Sequence, residues 1–146
     1  MNKRLIVAAA LCTAAGFAFA QASPAGLWKT IDDETGKEKS FVRIVESGGV
    51  LSGKVERIVD PAKQEQVCDA CSDARKGQRV LGMTILEGVR KAADDGVWDG
   101  GTILDPNNGK VYSSLMKLLD EGRKLEVRGY VGAALFGRSQ VWLREE

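Results

Sequence analysis

Cys68 and Cys71, in Cys68-Asp69-Ala70-Cys71, have the spacing of a thiol–disulfide exchange motif and are the residues best suited to chemistry. In enzymes of that kind the pair follows a buried strand and opens a helix, whose N-terminus lowers the thiol pKa. Here Lys63-Gln64-Glu65-Gln66 precedes the pair and Ser72-Asp73-Ala74-Arg75-Lys76-Gly77 follows it. The first is too polar for a buried strand and the second too short and polar for the helix. The pair is therefore expected to form a structural disulfide. So short a ring contributes about 2 kcal/mol by chain entropy, enough to tie down a loop.

Other chemistries lack parts. The chain contains no histidine, which removes serine-histidine and cysteine-histidine catalysis within one chain and the usual general base at neutral pH. Two thiolates without a histidine or a further nearby cysteine do not complete a tetrahedral zinc site. Asp105-Pro106-Asn107-Asn108-Gly109 has the composition of a calcium loop. Counted from Asp105, however, Met116 stands where the bidentate glutamate belongs, and Gly109 falls one place early. A hairpin turn is the expectation there. No enzyme activity, no metal and no cofactor are expected.

The elements that carry these residues read as all β. From Gly26 onward, turn signals separate short runs rich in Val, Ile, Leu and aromatic residues. Strands are predicted from Leu27 to Ile31, Ser40 to Glu46 and Val50 to Val59, the last stopped by Asp60-Pro61. Residues 62–79 read as a long connection holding both cysteines, with one or two helical turns. Residues 80–93 fit a helix at four-residue spacing or a strand from Met83 to Arg90; Gly82 and Gly88 favour the strand. Further strands follow at Val97 to Leu104, Lys110 to Leu119, Lys124 to Val131 and, after a corner at Gly132-Ala133-Ala134, Phe136 to Leu143. The fold expected is an eight-stranded antiparallel barrel, because closure removes the two edges that an open sheet would leave unpaired. Eight strands enclose room for packed side chains or one small ligand. Trp28 and Trp142, on the first and last strands, are expected to close one end.

The first residues, 1–20, read as a secretory signal peptide: Lys3 and Arg4, an apolar run, then Ala18-Phe19-Ala20 before the cleavage point. Cys12 would leave with it, and residues 21–146 would form one domain, periplasmic or secreted. Loss of Lys3 and Arg4 leaves 19 basic against 20 acidic residues, so no electrostatic footprint for nucleic acid is expected. No membrane span is expected after signal removal, and the oligomeric state is open.

Within the seventh strand, Leu125, Val127, Gly129 and Val131 alternate with Glu126, Arg128 and Tyr130. The first set reads as core. The second faces solvent or lines a polar pocket, where an arginine among aromatics would suit a carboxylate.

Gly26-Leu27-Trp28, the Cys68 and Cys71 pair, Trp98-Asp99-Gly100-Gly101, Asp105-Pro106 with Gly109-Lys110 and Tyr112, Arg128-Gly129-Tyr130, Phe136-Gly137-Arg138 and Trp142 together resemble a family of short exported bacterial proteins, the domain of unknown function 2147 (DUF2147). The resemblance covers nearly the whole of residues 21–146. It implies a lipocalin-like or calycin-like up-and-down barrel, in which the Gly-x-Trp tryptophan packs at the closed end beneath a late-strand arginine, here Arg138 or Arg144. The family's function is unassigned; the room that eight strands enclose makes a carrier of a small apolar or amphipathic molecule the expected function, with Trp98, Tyr112, Met116, Arg128 and Tyr130 as candidate ligand lining. The competing expectation is an envelope interaction or stress protein with a solidly packed barrel.

Overall fold

A computed structural model describes residues 22–146, which form a closed antiparallel barrel of eight strands in sequence order. They are β1 Gly26–Ile31, β2 Glu38–Ser47, β3 Val50–Ile58, β4 Thr84–Lys91, β5 Val97–Asp105, β6 Lys110–Leu119, β7 Lys124–Tyr130 and β8 Arg138–Arg144. The expected signal peptide, residues 1–20 with Cys12, lies outside the described residues. Closure comes from β1 pairing with β8, Trp28 opposite Arg144 and Lys29 opposite Leu143. Each ladder is antiparallel, so the connections alternate between two ends.

The ambiguous stretch at 80–93 is resolved as strand β4, which pairs with β3 and β5. Glycine disfavours a helix there, and two adjacent strands supply the ladder bonds a strand needs. The expected corner at 132–134 is longer than predicted. The chain leaves β7 at Tyr130, makes a 3-10 turn at Ala134–Phe136 and enters β8 only at Arg138. Gly137 sits so close to β7 that a Cβ there would lie 2.6 Å from the Gly129 carbonyl and 2.8 Å from the Tyr130 Cβ. Only glycine fits that approach.

The end that holds the β2–β3, β4–β5 and β6–β7 turns is packed. Trp28, Ile44, Leu51, Met116 and Leu125 are fully buried there, with Trp98 beside them. The other end gathers the β1–β2 hairpin, the long β3–β4 connection, the β5–β6 turn and the β7–β8 loop, and it is open.

Candidate ligand-binding cavity

A cavity of about 770 Å³ opens between those four connections. Its walls are apolar, with Val55, Ile58, Ile85, Ile103 and Val127 facing inward, and Trp142 borders it from the packed side. The space follows from side-chain size along the strands. Where the packed end has Trp28 and Ile44, the same inward rows continue as Thr30 on β1 and Ser40 on β2, and β7 ends its row with Gly129. The two hydroxyls satisfy each other: Thr30 Oγ1 and Ser40 Oγ are 2.7 Å apart. They offer a polar spot on an apolar wall without leaving an unpaired group.

The mouth carries the other polar groups. Asp33 on the β1–β2 hairpin accepts from Arg138 Nη2 at 2.6 Å and from Gln140 Nε2 at 2.9 Å, which ties that hairpin to β8. Gln140 Oε1 in turn accepts from Trp142 Nε1 at 3.3 Å. On the opposite wall, Asn108 Nδ2 donates to the Tyr112 hydroxyl at 3.1 Å.

One side of the mouth is built by the disulfide-bearing connection. Cys68 and Cys71 are bonded and fully buried. Around them the segment folds as a miniature ladder, Cys68 N–H donating to the Gln78 carbonyl at 2.8 Å and Val80 N–H to the Gln66 carbonyl at 2.9 Å. It rests on the β5–β6 turn, where the Cys68 sulfur lies 3.6 Å from the Pro106 carbonyl oxygen. Gly109 makes the seat: its φ is +70°, and a Cβ there would come within 1.9 Å of the Ala70 carbonyl oxygen. Gln66 and Val80 then reach the cavity from this segment. At its outer edge the Arg75 guanidinium, hydrogen-bonded to Asp73, holds that carboxyl down at about 2, with the Arg75 amide adding to the effect.

At the packed end, Arg144 lies over the Trp28 ring, 4.3 Å from guanidinium to centroid. Its donors reach the carbonyls of Gly122 at 2.6 Å, Ser23 at 2.7 Å and Ala25 at 3.0 Å. Trp28 Nε1 donates to the Pro24 carbonyl at 2.7 Å. Desolvation lowers the Arg144 pKa from its ordinary value. The late-strand arginine is thus Arg144, while Arg138 belongs to the open mouth.

The sequence profile of the family described as an uncharacterized protein conserved in bacteria, DUF2147, matches residues 26–144. This chain belongs to the DUF2147 family. Among solved structures it is similar to the protein HP1028 from the human pathogen Helicobacter pylori, which is described as belonging to the lipocalin family. The TM-score is 0.73 at 20% identity, over 86% of this chain and 84% of that one, a likeness of fold. Comparison with curated proteins returns no match.

In this DUF2147 barrel the five candidate lining residues separate. Tyr112 and Tyr130 border the cavity. Trp98 and Met116 face each other across β5 and β6, buried in the packed end. Arg128 turns to the β7–β8 loop, its Nε donating to the Ala134 carbonyl at 2.6 Å, Nη2 to that of Leu135 at 3.2 Å and Nη1 to Ser139 Oγ at 2.9 Å. Each of its three nitrogens donates to the β7–β8 loop or to β8, so it organises the rim. Thr30, Ser40, Ile103 and Gln140, which do line the space, were not anticipated. Counting in twos from Trp28 and from Trp142 puts Thr30 and Gln140 on the inner face, so that signal was present.

Proposed function

We propose that this protein is an exported, non-catalytic carrier that takes a small apolar or amphipathic molecule into the open half of its barrel. The observation that carries the reading is the cavity itself. About 770 Å³ lies within the range of roughly 300–1,000 Å³ common for small-molecule sites, and apolar walls with a few placed polar groups are their usual chemistry. Val55, Ile103 and Val127 would hold the apolar part, the Thr30–Ser40 pair would meet a polar atom along the wall, and Tyr112 and Tyr130 would flank the entrance. Trp98 and Met116 would act from beneath, by keeping the floor rigid, and Arg128 through the rim.

The open upper half speaks against the packed-barrel alternative. Export is supported by Lys3 and Arg4 ahead of the apolar run, by Ala18-Phe19-Ala20, and by a disulfide, which persists in oxidising compartments. Among the described residues no helix is long and apolar enough to cross a membrane.

The test is native mass spectrometry of protein purified from its bacterial host. The expected spectrum shows a chain beginning at Gln21 with a small-molecule adduct, and the adduct is lost in Val127→Phe, which fills the cavity. Ligand-free protein that also fails to take up added fatty acid would contradict the carrier reading.

A further inference from the structure

Ser114, on β6, is fully buried, and its Oγ is the one buried side-chain oxygen or nitrogen among the described residues that has no hydrogen-bond partner. Leaving a buried hydroxyl unmet costs free energy, because the group gives up water and receives nothing in exchange. The pairing of the strands says where it points. Ser114 stands opposite Gly101 on β5 and Gly129 on β7, and residues directly opposite each other in a ladder share a face. Gly129 borders the cavity. So does Val127, which stands opposite Met116, one inward step nearer the packed end. Ser114 is therefore at the height of the cavity and faces inward, just behind the residues that form the wall.

Its surroundings leave one way in. On the β5 side Gly101 is pressed against β4, where a Cβ would lie 2.6 Å from the Val89 Cγ2. On the β7 side no side chain rises from Gly129. The Tyr112 Cβ and the Ile103 Cγ2 lie instead 3.3 and 3.5 Å from the place a Gly129 Cβ would take, and both residues border the cavity. Tyr112 is half-buried and reaches Asn108 through an exposed hydrogen bond at 3.1 Å, so its ring is the part of this wall freest to turn. The polar chemistry inside is uncharged. Every charged residue bordering the cavity lies in a connection at the open end or within two residues of a strand terminus there, Asp60, Lys63, Asp105 and Arg138 among them. Below them Thr30 and Ser40 satisfy each other, and Gln140 is engaged by Asp33 and Trp142. A carboxylate carried down to Ser114 would meet no cation.

We infer that Ser114 reads the polar end of the ligand, and that this end is an uncharged oxygen, a hydroxyl or a carbonyl, which enters first and bonds to Ser114 Oγ as the Tyr112 ring turns aside. The inference rests on the carrier reading and narrows it: the preferred ligand is a neutral amphipathic molecule held head down, its apolar remainder along Ile103, Val127 and Val55. A molecule ending in a carboxylate is held the other way up, with its charge at the rim. A serine hydroxyl both donates and accepts, so alcohols and carbonyl compounds are both served. An analogue without the oxygen leaves the hydroxyl unpaired.

The experiment is displacement of N-phenyl-1-naphthylamine, a neutral fluorescent probe, by 1-octanol, 1-chlorooctane and octanoate, using protein purified from its bacterial host. Ser114→Ala is expected to weaken 1-octanol about tenfold relative to 1-chlorooctane, as the loss of one hydrogen bond in a dry site requires, and to leave octanoate as in wild type. The ligand-free variant should also unfold at a higher urea concentration than wild type, since an unmet hydroxyl has been removed. That second readout keeps a folding defect apart from a binding one. A ratio of 1-octanol to 1-chlorooctane affinity that survives Ser114→Ala unchanged would overturn the inference. So would an octanoate loss matching that of 1-octanol, because a charged head would then reach the same depth. A lowered urea midpoint would overturn it as well, because the hydroxyl would then be bonded within the fold. A probe that fails to bind wild type at all would instead remove the carrier reading itself, and this inference with it.

Discussion

The two ends of the barrel are made by the same strands with the same alternation, yet one is solid and the other hollow. At the packed end the inward rows carry Trp28, Ile44, Leu51, Met116 and Leu125, all fully buried. At the open end the rows continue as Thr30, Ser40 and Gly129, and the space they leave is the cavity. Backbone topology does not distinguish the halves. Side-chain volume along each row does, so stability and ligand capacity are assigned to different positions of the same strands.

Substitutions can break that division or sharpen it. The largest effect is expected for Trp28→Ala, at about 4 kcal/mol, because it removes a buried indole and strips Arg144 of its stacking partner. Urea unfolding measures it. On β7 the contrast falls within one row. Leu125 is enclosed, and Leu125→Ala should cost about 3 kcal/mol. Val127 borders space already empty, and Val127→Ala should cost about 1 kcal/mol or less. Equal costs at the two positions would mean that the halves do not differ in packing as described.

Replacing both Cys68 and Cys71 by serine should cost about 2 kcal/mol, with hydrogen exchange rising in residues 66–80 and not in the strands. The smallest effect is pH-dependent and confined to the same connection. Asp73 is held at about 2, below the usual carboxylate range. A depressed carboxylate stabilises the fold above its unfolded pKa and loses that contribution as pH falls through the folded one. The Asp73–Arg75 contact should therefore loosen between about pH 4 and pH 2, seen as chemical-shift changes confined to residues near 73–75.

Much of this was legible in the sequence because turns and alternation are local. Asp-Gly and Gly-Gly punctuation placed the strands, and β6 was predicted at its observed bounds, Lys110–Leu119. The absence of flanking strand and helix pointed to an inert disulfide. Depth along the barrel was not legible. Alternation tells which face a residue takes, whereas its height depends on stagger and on irregularities such as the register shift between Phe41 and Val42 in the β2–β3 ladder. Trp98 and Met116 face inward but lie low, which no count along β5 or β6 alone reveals. The choice between Arg138 and Arg144 was a question of height as well. Both are on β8, and only the one opposite Trp28 in the closing ladder stacks on it. The stretch at 131–136 read as the end of β7, a tight corner at 132–134 and the start of β8, with Val131 in the core set; Val131, Leu135 and Phe136 are instead exposed, and the clamp from Arg128 that holds the loop outward is a tertiary contact.

The most direct test of a hollow half above a packed one uses Trp142, which borders the cavity while Trp28 and Trp98 lie below it. Titration with a brominated fatty acid, a short-range quencher, should lower the tryptophan emission of the wild type in a saturable way, and Trp142→Phe should lose most of that quenching. Emission unchanged by the brominated acid, or quenching that persists in full in Trp142→Phe, would contradict the account.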